Sequence, residues 1–243
     1  MGNSIKMPNA NLINRLNTSQ LNFPNNPKKY FYLAKKDKID FIYNTAALEG
    51  NPMTYPEVET LLEGITVGGH RLSDEQQILN QNRSVQLLFS MLETNRFCLD
   101  KQTLCLLHRE VAKEETLLWG VFREGNVNIG GTNYLPPSPA QLNLIFEQGL
   151  LEISNINNTI IKGLTYFLFG ARSQFFYDGN KRVSRLMMNG ILLSAGFPMM
   201  NIKVKHKLVF NQQMIHFYDS GDYVVALEYL RDYYIKNNRH INE

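Results

Sequence analysis

Between Ile39 and Gly196 apolar residues recur three and four positions apart in one segment after another, and a single stretch, residues 121–134, alternates instead. That periodicity commits the chain to helices that each bury one face against a shared core. Ile39, Ile42, Tyr43 and Ala46 share such a face, and Gly50-Asn51-Pro52 stops their helix. Thr54, with Glu57 three residues on and Pro56 in the first turn, opens another that Gly64 ends. Ser73 and Gln76 form a second capping pair ahead of Ile78, Val85, Leu88 and Leu92. Asp100 caps a segment carrying Leu104, Leu107 and Val111, and Pro139 starts one with Leu142, Ile145 and Phe146 inward. Ile160, Ile161, Leu164, Leu168 and Ala171 predict a long central helix ending near Phe176. The next runs from about Lys181 to Gly196 on Val183, Leu186, Met187 and Ile191, and residues 211–237 give one or two closing helices. The alternating stretch contains Gly125-Asn126 and Gly130-Gly131 and leads into Pro136-Pro137, which predicts a short hairpin. The Asn-rich start, to about Pro27, reads as an irregular arm packed loosely or not at all. The fold class expected is mainly α with one small β-hairpin.

Composition sets outer limits. The 243 residues suffice for one large domain or a core with an appended lobe. A net charge of +3 is too mild to signal a nucleic-acid partner, and none is expected. Met1-Gly2-Asn3-Ser4-Ile5-Lys6 has neither the apolar run of a signal peptide nor the Ser or Thr of a myristoylation signal. No apolar stretch is long enough for a bilayer, so no membrane partner is expected and the cytoplasm is the default compartment. Cys98 and Cys105, seven apart, read as core thiols rather than a disulfide framework.

One segment carries chemistry. Residues 178–185 read Asp178-Gly179-Asn180-Lys181-Arg182-Val183-Ser184-Arg185 between two predicted helices. Gly179 and Asn180 allow a tight turn that exposes successive N–H groups. Lys181, Arg182 and Arg185 then crowd three cations onto a helix start, where the macrodipole already leaves about +0.5 charge. An anion seated on those N–H groups turns that crowding favourable. Arg182 and Arg185, three apart, share a face and can fork onto phosphate oxygens, and Asp178 can hold a Mg²⁺ ion bridging them. The bland alternative is a solvated basic helix start capped by Asp178. No GxxxxGK[ST] or GxGxxG run offers a rival nucleotide site.

The segment Gln174-Phe175-Phe176-Tyr177-Asp178-Gly179-Asn180-Lys181-Arg182-Val183-Ser184-Arg185 resembles the signature of the Fic family in the Fic-Doc superfamily, HxFx(D/E)GN(G/K)RxxR, at every defining position but the first, where Gln174 replaces the catalytic histidine. Residues 123–137, REGNVNIGGTNYLPP, are similar to that family's flap hairpin, and Thr45-Ala46-Ala47-Leu48-Glu49-Gly50 to its inhibitory motif, (S/T)xxxE(G/N). The resemblance implies a helical core that binds ATP-Mg²⁺ and moves AMP onto a Ser, Thr or Tyr hydroxyl of a target protein. It implies Asp178 as metal ligand and Gly179, Asn180, Lys181 and Arg182 around the α- and β-phosphates. Arg185 would take the γ-phosphate, Phe176 would anchor the loop, and Glu49 would act as an inhibitory carboxylate on Arg185. Val127, Asn128, Ile129, Gly130 and Gly131 would form the flap that clamps a target or partner segment by strand addition. On this reading residues 1–72 hold the arm and inhibitory helix, 73–200 the core, and 201–243 closing helices, all in one globular unit.

Gln174 alters the expected chemistry. An amide orients a hydroxyl but cannot keep its proton, and losing a general base costs about 10²–10⁴-fold. Weak, lost or autoinhibited AMP transfer is therefore the first expectation. A non-catalytic nucleotide-binding module holding a partner is the second. A kinase-like branch of the superfamily, which has lysine at the Lys181 position but keeps its histidine, comes last. His108-Arg109-Glu110 lacks the PCxxC partner of zinc deaminases, so His108 reads as a helix-face residue.

Overall fold

The computed structural model describes residues 6–241, so the leader and acylation readings at residues 1–5 lie outside the described residues. Eleven α-helices are seen among them: α1 (Ala10–Ile13), α2 (Pro27–Lys36), α3 (Lys38–Leu48), α4 (Tyr55–Leu62), α5 (Leu72–Glu93), α6 (Lys101–Val111), α7 (Leu142–Ser154), α8 (Thr159–Ser173), α9 (Asn180–Ser194), α10 (Lys207–Ser220) and α11 (Tyr223–Asn238). Helices α8 and α9 lie side by side at the centre, with α5, α6, α7 and α11 around them and α3 laid on α5. Their approach needs glycine: a Cβ on Gly170 of α8 would sit 2.2 Å from the Ser184 hydroxyl of α9. Both central helices are buried along most of their length, including Leu164, Leu168, Leu186 and Met188 at 0% exposure. No helix among the described residues is long and apolar enough to cross a membrane.

Local capping explains most boundaries. Glu57 accepts from the Thr54 N–H at 2.7 Å and its hydroxyl at 2.8 Å, and Asp100 accepts the Thr103 N–H at 2.7 Å. The next helix start differs from expectation. Helix α5 begins at Leu72, and Asp74 reaches back to the Arg71 N–H, while the Gln76 amide donates within the helix to Asn80. Helix α8 stops at Ser173 rather than near Phe176, because Gln174 turns left-handed at φ 49°.

Two further expectations are corrected. The N-terminal arm is not loose: Ile13 is 1% and Phe23 7% exposed, and Phe23 meets Tyr234 edge to face at 5.2 Å. Its apolar residues are too few to show periodicity, yet they fill the gap beside α11. Cys98 is exposed and Cys105 half-buried, so neither is a core thiol.

The expected hairpin is absent, since no strand occurs among the described residues. Residues 121–138 form an extended strap lying one-sidedly on the helices. Gly125, Val127 and Ile129 are half-buried, while Glu124, Asn126, Asn128 and Gly130 face out. The sequence alternation was real, but it marks an extended chain with a wet side and a dry side. The return limb is drawn away from any ladder by distant partners: Thr132 donates to Asp219, and the Tyr134 ring lies 3.9 Å from the Arg172 guanidinium. Pro136 and Pro137 have no N–H to offer a partner strand.

Candidate functional site

The loop between α8 and α9 is held closed by its own side chains. Asn180 accepts the Phe176 N–H at 2.9 Å and donates to the Phe176 carbonyl at 2.8 Å and the Gln174 side-chain carbonyl at 3.0 Å. The Gln174 amide in turn donates to Ala171 O at 2.6 Å, so both ends of that side chain are engaged. Phe176 is 1% exposed, which anchors the loop in the core. Gly179 takes φ 74°, a region that costs a non-glycine residue about 1–2 kcal/mol. The first helix amide with a backbone acceptor is that of Val183, to Gly179 O at 2.9 Å. The amides of Asn180, Lys181 and Arg182 therefore stand as unpaired donors at the N-terminus of α9.

This loop opens onto a cavity of about 210 Å³. Gln174, Tyr177 and residues 178–182 form its floor, with Glu49 and Tyr218 on one side and Asn128, Ile129 and Gly130 of the strap on the other. Val127 and Gly131 stand outside that wall, and a Cβ at Gly131 would meet Ile215 Cδ1 at 3.3 Å.

The three cations of the turn have separate fates. Arg185 is 1% exposed, between the Phe167 and Phe210 rings at 5.8 and 5.7 Å. Its Nη1 donates to Glu49 Oε1 at 2.8 Å, whereas Nε and Nη2 have no partner. Lys181 Nζ holds the other oxygen, Glu49 Oε2, at 2.8 Å. Burial pushes the Glu49 carboxyl upward, but Arg185 and Lys181 outweigh it and bring it down to about 2. Arg182 is turned to structural work: Nη1 donates to Glu115 Oε2 at 2.7 Å and Val111 O at 3.2 Å, and Nη2 lies 3.3 Å from Asp178 Oδ2. Glu115 was missed in the sequence, where nothing separates it from Glu110 and Glu114 as the acid that a buried arginine requires.

Asp178 is well exposed, and its Oδ1 takes the Gly179 N–H at 2.6 Å. No group of three or more His, Cys, Asp or Glu able to hold a metal ion occurs among the described residues. An exposed carboxylate beside an anion cradle, with its Oδ2 held only by the long 3.3 Å contact to Arg182, nonetheless suits Mg²⁺, which takes one or two carboxylates and completes its shell with phosphate and water.

His108 lies on the buried face of its helix, 0% exposed and stacked on Phe176 at 3.6 Å with its ring 7° from parallel. Burial, opposed by the bond to Asp178 and aided by the nearby Arg182, lowers it to about 3, so the ring is neutral. Arg123, also buried, ties the strap to the loop. Its N–H donates to Phe175 O at 2.9 Å, Nε to Gln174 O at 2.6 Å, Nη1 to Gly125 O at 2.7 Å, and Nη2 to Pro137 O.

Fold and site thus define a helical protein whose two central helices meet at a Gly-Asn turn, with a carboxylate from a third helix seated across it. The chain is a Fic-family protein, and residues 98–192 match the Fic/DOC family. The Protein adenylyltransferase Fic of Drosophila erecta is 30% identical over 172 residues, covering 68% of this chain and 34% of that protein. The same protein of Drosophila melanogaster is 28% identical over 171 residues, with the same coverage. The chain therefore spans about a third of the length of the curated relatives it matches. Among solved structures, a Fic domain containing signaling protein from Bacteroides thetaiotaomicron superposes with a TM-score of 0.69 at 20% identity, covering 93% of this chain and 90% of that one. Fic-1 of C. elegans gives 0.71 at 18% identity, with 96% and 68% covered. These two likenesses speak for the fold.

Proposed function

We propose that this protein binds ATP-Mg²⁺ at residues 178–185 and belongs to the adenylyltransferase side of its family, with AMP transfer to a target hydroxyl weak, lost or held off. The observation that carries the reading is Arg185: a buried guanidinium with two N–H-bearing nitrogens unfilled, beside three unpaired helix amides. Buried donors of this kind are costly unless something accepts from them, and a polyphosphate does so. Asp178 would hold the metal, which neutralises phosphate charge when bound. Glu49 occupies the guanidinium that a γ-phosphate would use, so the carboxylate and the nucleotide tail compete for one group. Asn128, Ile129 and Gly130, on the cavity rim, are the strap residues placed to meet a target or partner segment.

Gln174 supports a second reading, a nucleotide-binding module without turnover. Its amide nitrogen is committed to Ala171 O and its carbonyl to Asn180. No proton acceptor of suitable pKa therefore stands at the position where the family keeps its histidine. A kinase-like activity has less support, because Lys181 is drawn to Glu49.

Calorimetry with ATP-Mg²⁺ tests the site. Glu49→Gly should tighten binding roughly tenfold by removing a charge-assisted competitor, and Asp178→Ala in that background should weaken it. Identical affinity in all three proteins would refute the assignment. Incubation with α-labelled ATP and a lysate separates the two readings: label transferred by the Gln174→His, Glu49→Gly double variant but not by the parent points to a lapsed transferase. Label transferred by neither points to the module.

A further inference from the structure

His108 contacts nothing that reacts, yet both of its ring nitrogens are spent on the main chain of the two segments that frame the cavity. The Gly120 N–H donates to Nδ1 at 3.0 Å, and Nε2 lies 2.9 Å from the Asp178 carbonyl oxygen. A carbonyl only accepts and an N–H only donates, so the proton sits on Nε2 and the ring is the neutral tautomer. Its face is held flat against Phe176, the anchor of the loop. A Cβ added to Gly179 would lie 3.3 Å from Nε2, so the ring also lies against the turn from below.

We propose that His108 is a positioning residue that sets the peptide plane between Asp178 and Gly179 and joins the strap to the nucleotide turn. This rests on the reading of residues 178–185 as a phosphate cradle. In a trans peptide the carbonyl and the next N–H point in opposite directions. With the Asp178 carbonyl drawn to Nε2, the Gly179 N–H faces the other way, toward Asp178 Oδ1, and Gly179 enters the left-handed region that starts α9. The unpaired amides of Asn180, Lys181 and Arg182 follow from that one orientation. If the plane flips, they no longer converge.

The other nitrogen extends the effect. Gly120 is the residue from which the strap departs, and Arg123, three positions on, binds Gln174 O on the far flank of the same loop. The strap entrance is thereby fixed to both ends of residues 174–178. A segment docked on Asn128 to Gly130 and a nucleotide at the turn then order the same unit, and each should strengthen the other.

Three substitutions take the ring apart. His108→Gln places an amide donor near the Nε2 position, His108→Asn an acceptor near Nδ1, and His108→Phe keeps the stack on Phe176 with neither bond. In the Glu49→Gly background, His108→Phe and His108→Asn should weaken ATP-Mg²⁺ binding roughly tenfold, the scale of one hydrogen bond lost at a buried group. His108→Gln should stay within about threefold of that parent, whatever its melting temperature. A merely structural histidine would lose affinity in step with stability across the three variants. Equal affinity in His108→Gln and a folded His108→Phe, at any level, overturns the proposal.

A second readout needs no nucleotide. Amide hydrogen exchange at Gly120 should be slow in the parent and in His108→Asn and fast in His108→Phe, and a fast Gly120 amide in the parent overturns the tether even where every variant unfolds. Failure of the Glu49→Gly protein to bind ATP-Mg²⁺ would instead sink the cradle reading, and exchange at Gly120 and Gly179 then decides the role of His108 alone.

Discussion

The turn and the strap border the same cavity and are held in opposite ways. The turn is closed by neighbours: Asn180 satisfies Phe176 and Gln174, and Asp178 satisfies Gly179. The strap has no ladder and few internal bonds. Its anchors lie far off in the chain, Gln174 being 51 residues from Arg123 and Asp219 87 from Thr132. Local closure gives a segment most of its shape from its own short sequence, with His108 and Arg123 as the distant contacts on its backbone. Distant closure gives a segment whose shape belongs to its surroundings, and which can open while the core stays folded.

The widest separation between the two should appear on removing the arginine of each. Arg182 is 2% exposed and paired with Glu115, so Arg182→Ala leaves a largely buried carboxylate without its cation, the Asn80 amide at 2.6 Å being its remaining donor. Breaking such a pair costs about 3–5 kcal/mol, or roughly 10 °C in melting temperature for a chain this size. Arg123→Ala strips donors from three carbonyls, Gln174, Gly125 and Pro137. Its cost, about 2–3 kcal/mol, should fall locally, as rapid proteolysis within residues 124–135 while the core melts near its original temperature. Calorimetric melting and limited digestion check both. A single, equally large drop in both variants with no selective cleavage would erase the distinction.

Acid sharpens the contrast, because Glu49 bears on the turn alone, whereas His108 bears on the turn and on the Gly120 N–H at the strap entrance. Glu49 is held at about 2, below its ordinary value of 4.5. A depressed carboxyl contributes stability above the unfolded value and loses it as pH falls through the folded one. The Glu49 share, roughly 3 kcal/mol, is therefore present at pH 5 and drains away toward pH 2. His108, lowered from 6.5 to about 3, adds loss over a higher window, from about pH 6.5 down to 3, since the unfolded chain protonates first. Melting temperature should fall continuously from pH 6.5 downward in the parent. Glu49→Gln should flatten the section below about pH 4.5, and His108→Gln the section above it. Parallel curves for all three proteins would remove both groups from the account.

How much of this was legible follows the same division. Helix positions were written locally in periodicity, and so were the Thr54-Glu57 and Asp100 caps. The turn was visible because charge type, glycine and asparagine stand consecutively. The contact between Glu49 and Arg185 was expected from the family resemblance, since a helix-end carboxylate read by spacing alone suits a solvated end. Other features had no local signal. Gln174 ends α8 in a left-handed conformation without being glycine or asparagine, the residues by which such ends are usually known, and its bonds to Gly170, Ala171, Asn180 and Arg123 hold it there. His108 on α6 and Glu115 in the turn after it are defined by what they meet across the core. The strap showed the right period but could not show that its two limbs have other partners. Ser73 and Gln76 suited a cap in sequence, but the helix starts at Leu72, with Asp74 reaching back to the Arg71 N–H.

The smallest effect is the sharpest comparison, glycine to alanine once in each segment. Gly179 has φ 74°, and an added Cβ would meet Val111 Cγ1 at 3.2 Å and His108 Nε2 at 3.3 Å. The left-handed conformation alone costs alanine about 1–2 kcal/mol, and the crowding comes from a packed helix, so Gly179→Ala should lower the melting temperature by several degrees and weaken nucleotide binding with it. Gly130 has no positive φ, and nothing lies within 4 Å of its added Cβ. Alanine there loses nothing in the folded state and narrows the unfolded ensemble, so Gly130→Ala should leave stability within about 0.5 kcal/mol or raise it slightly. Differential scanning calorimetry resolves such shifts. A clear loss of stability in Gly130→Ala would mean that the strap needs glycine at its bend, as a hairpin turn does, and that its extended form is only one of the conformations on which folding depends. An unchanged value, with Gly179→Ala impaired, would leave Gly131, at φ 83°, as the strap position that needs glycine, while the turn needs it at Gly179, where a peptide plane has to be set.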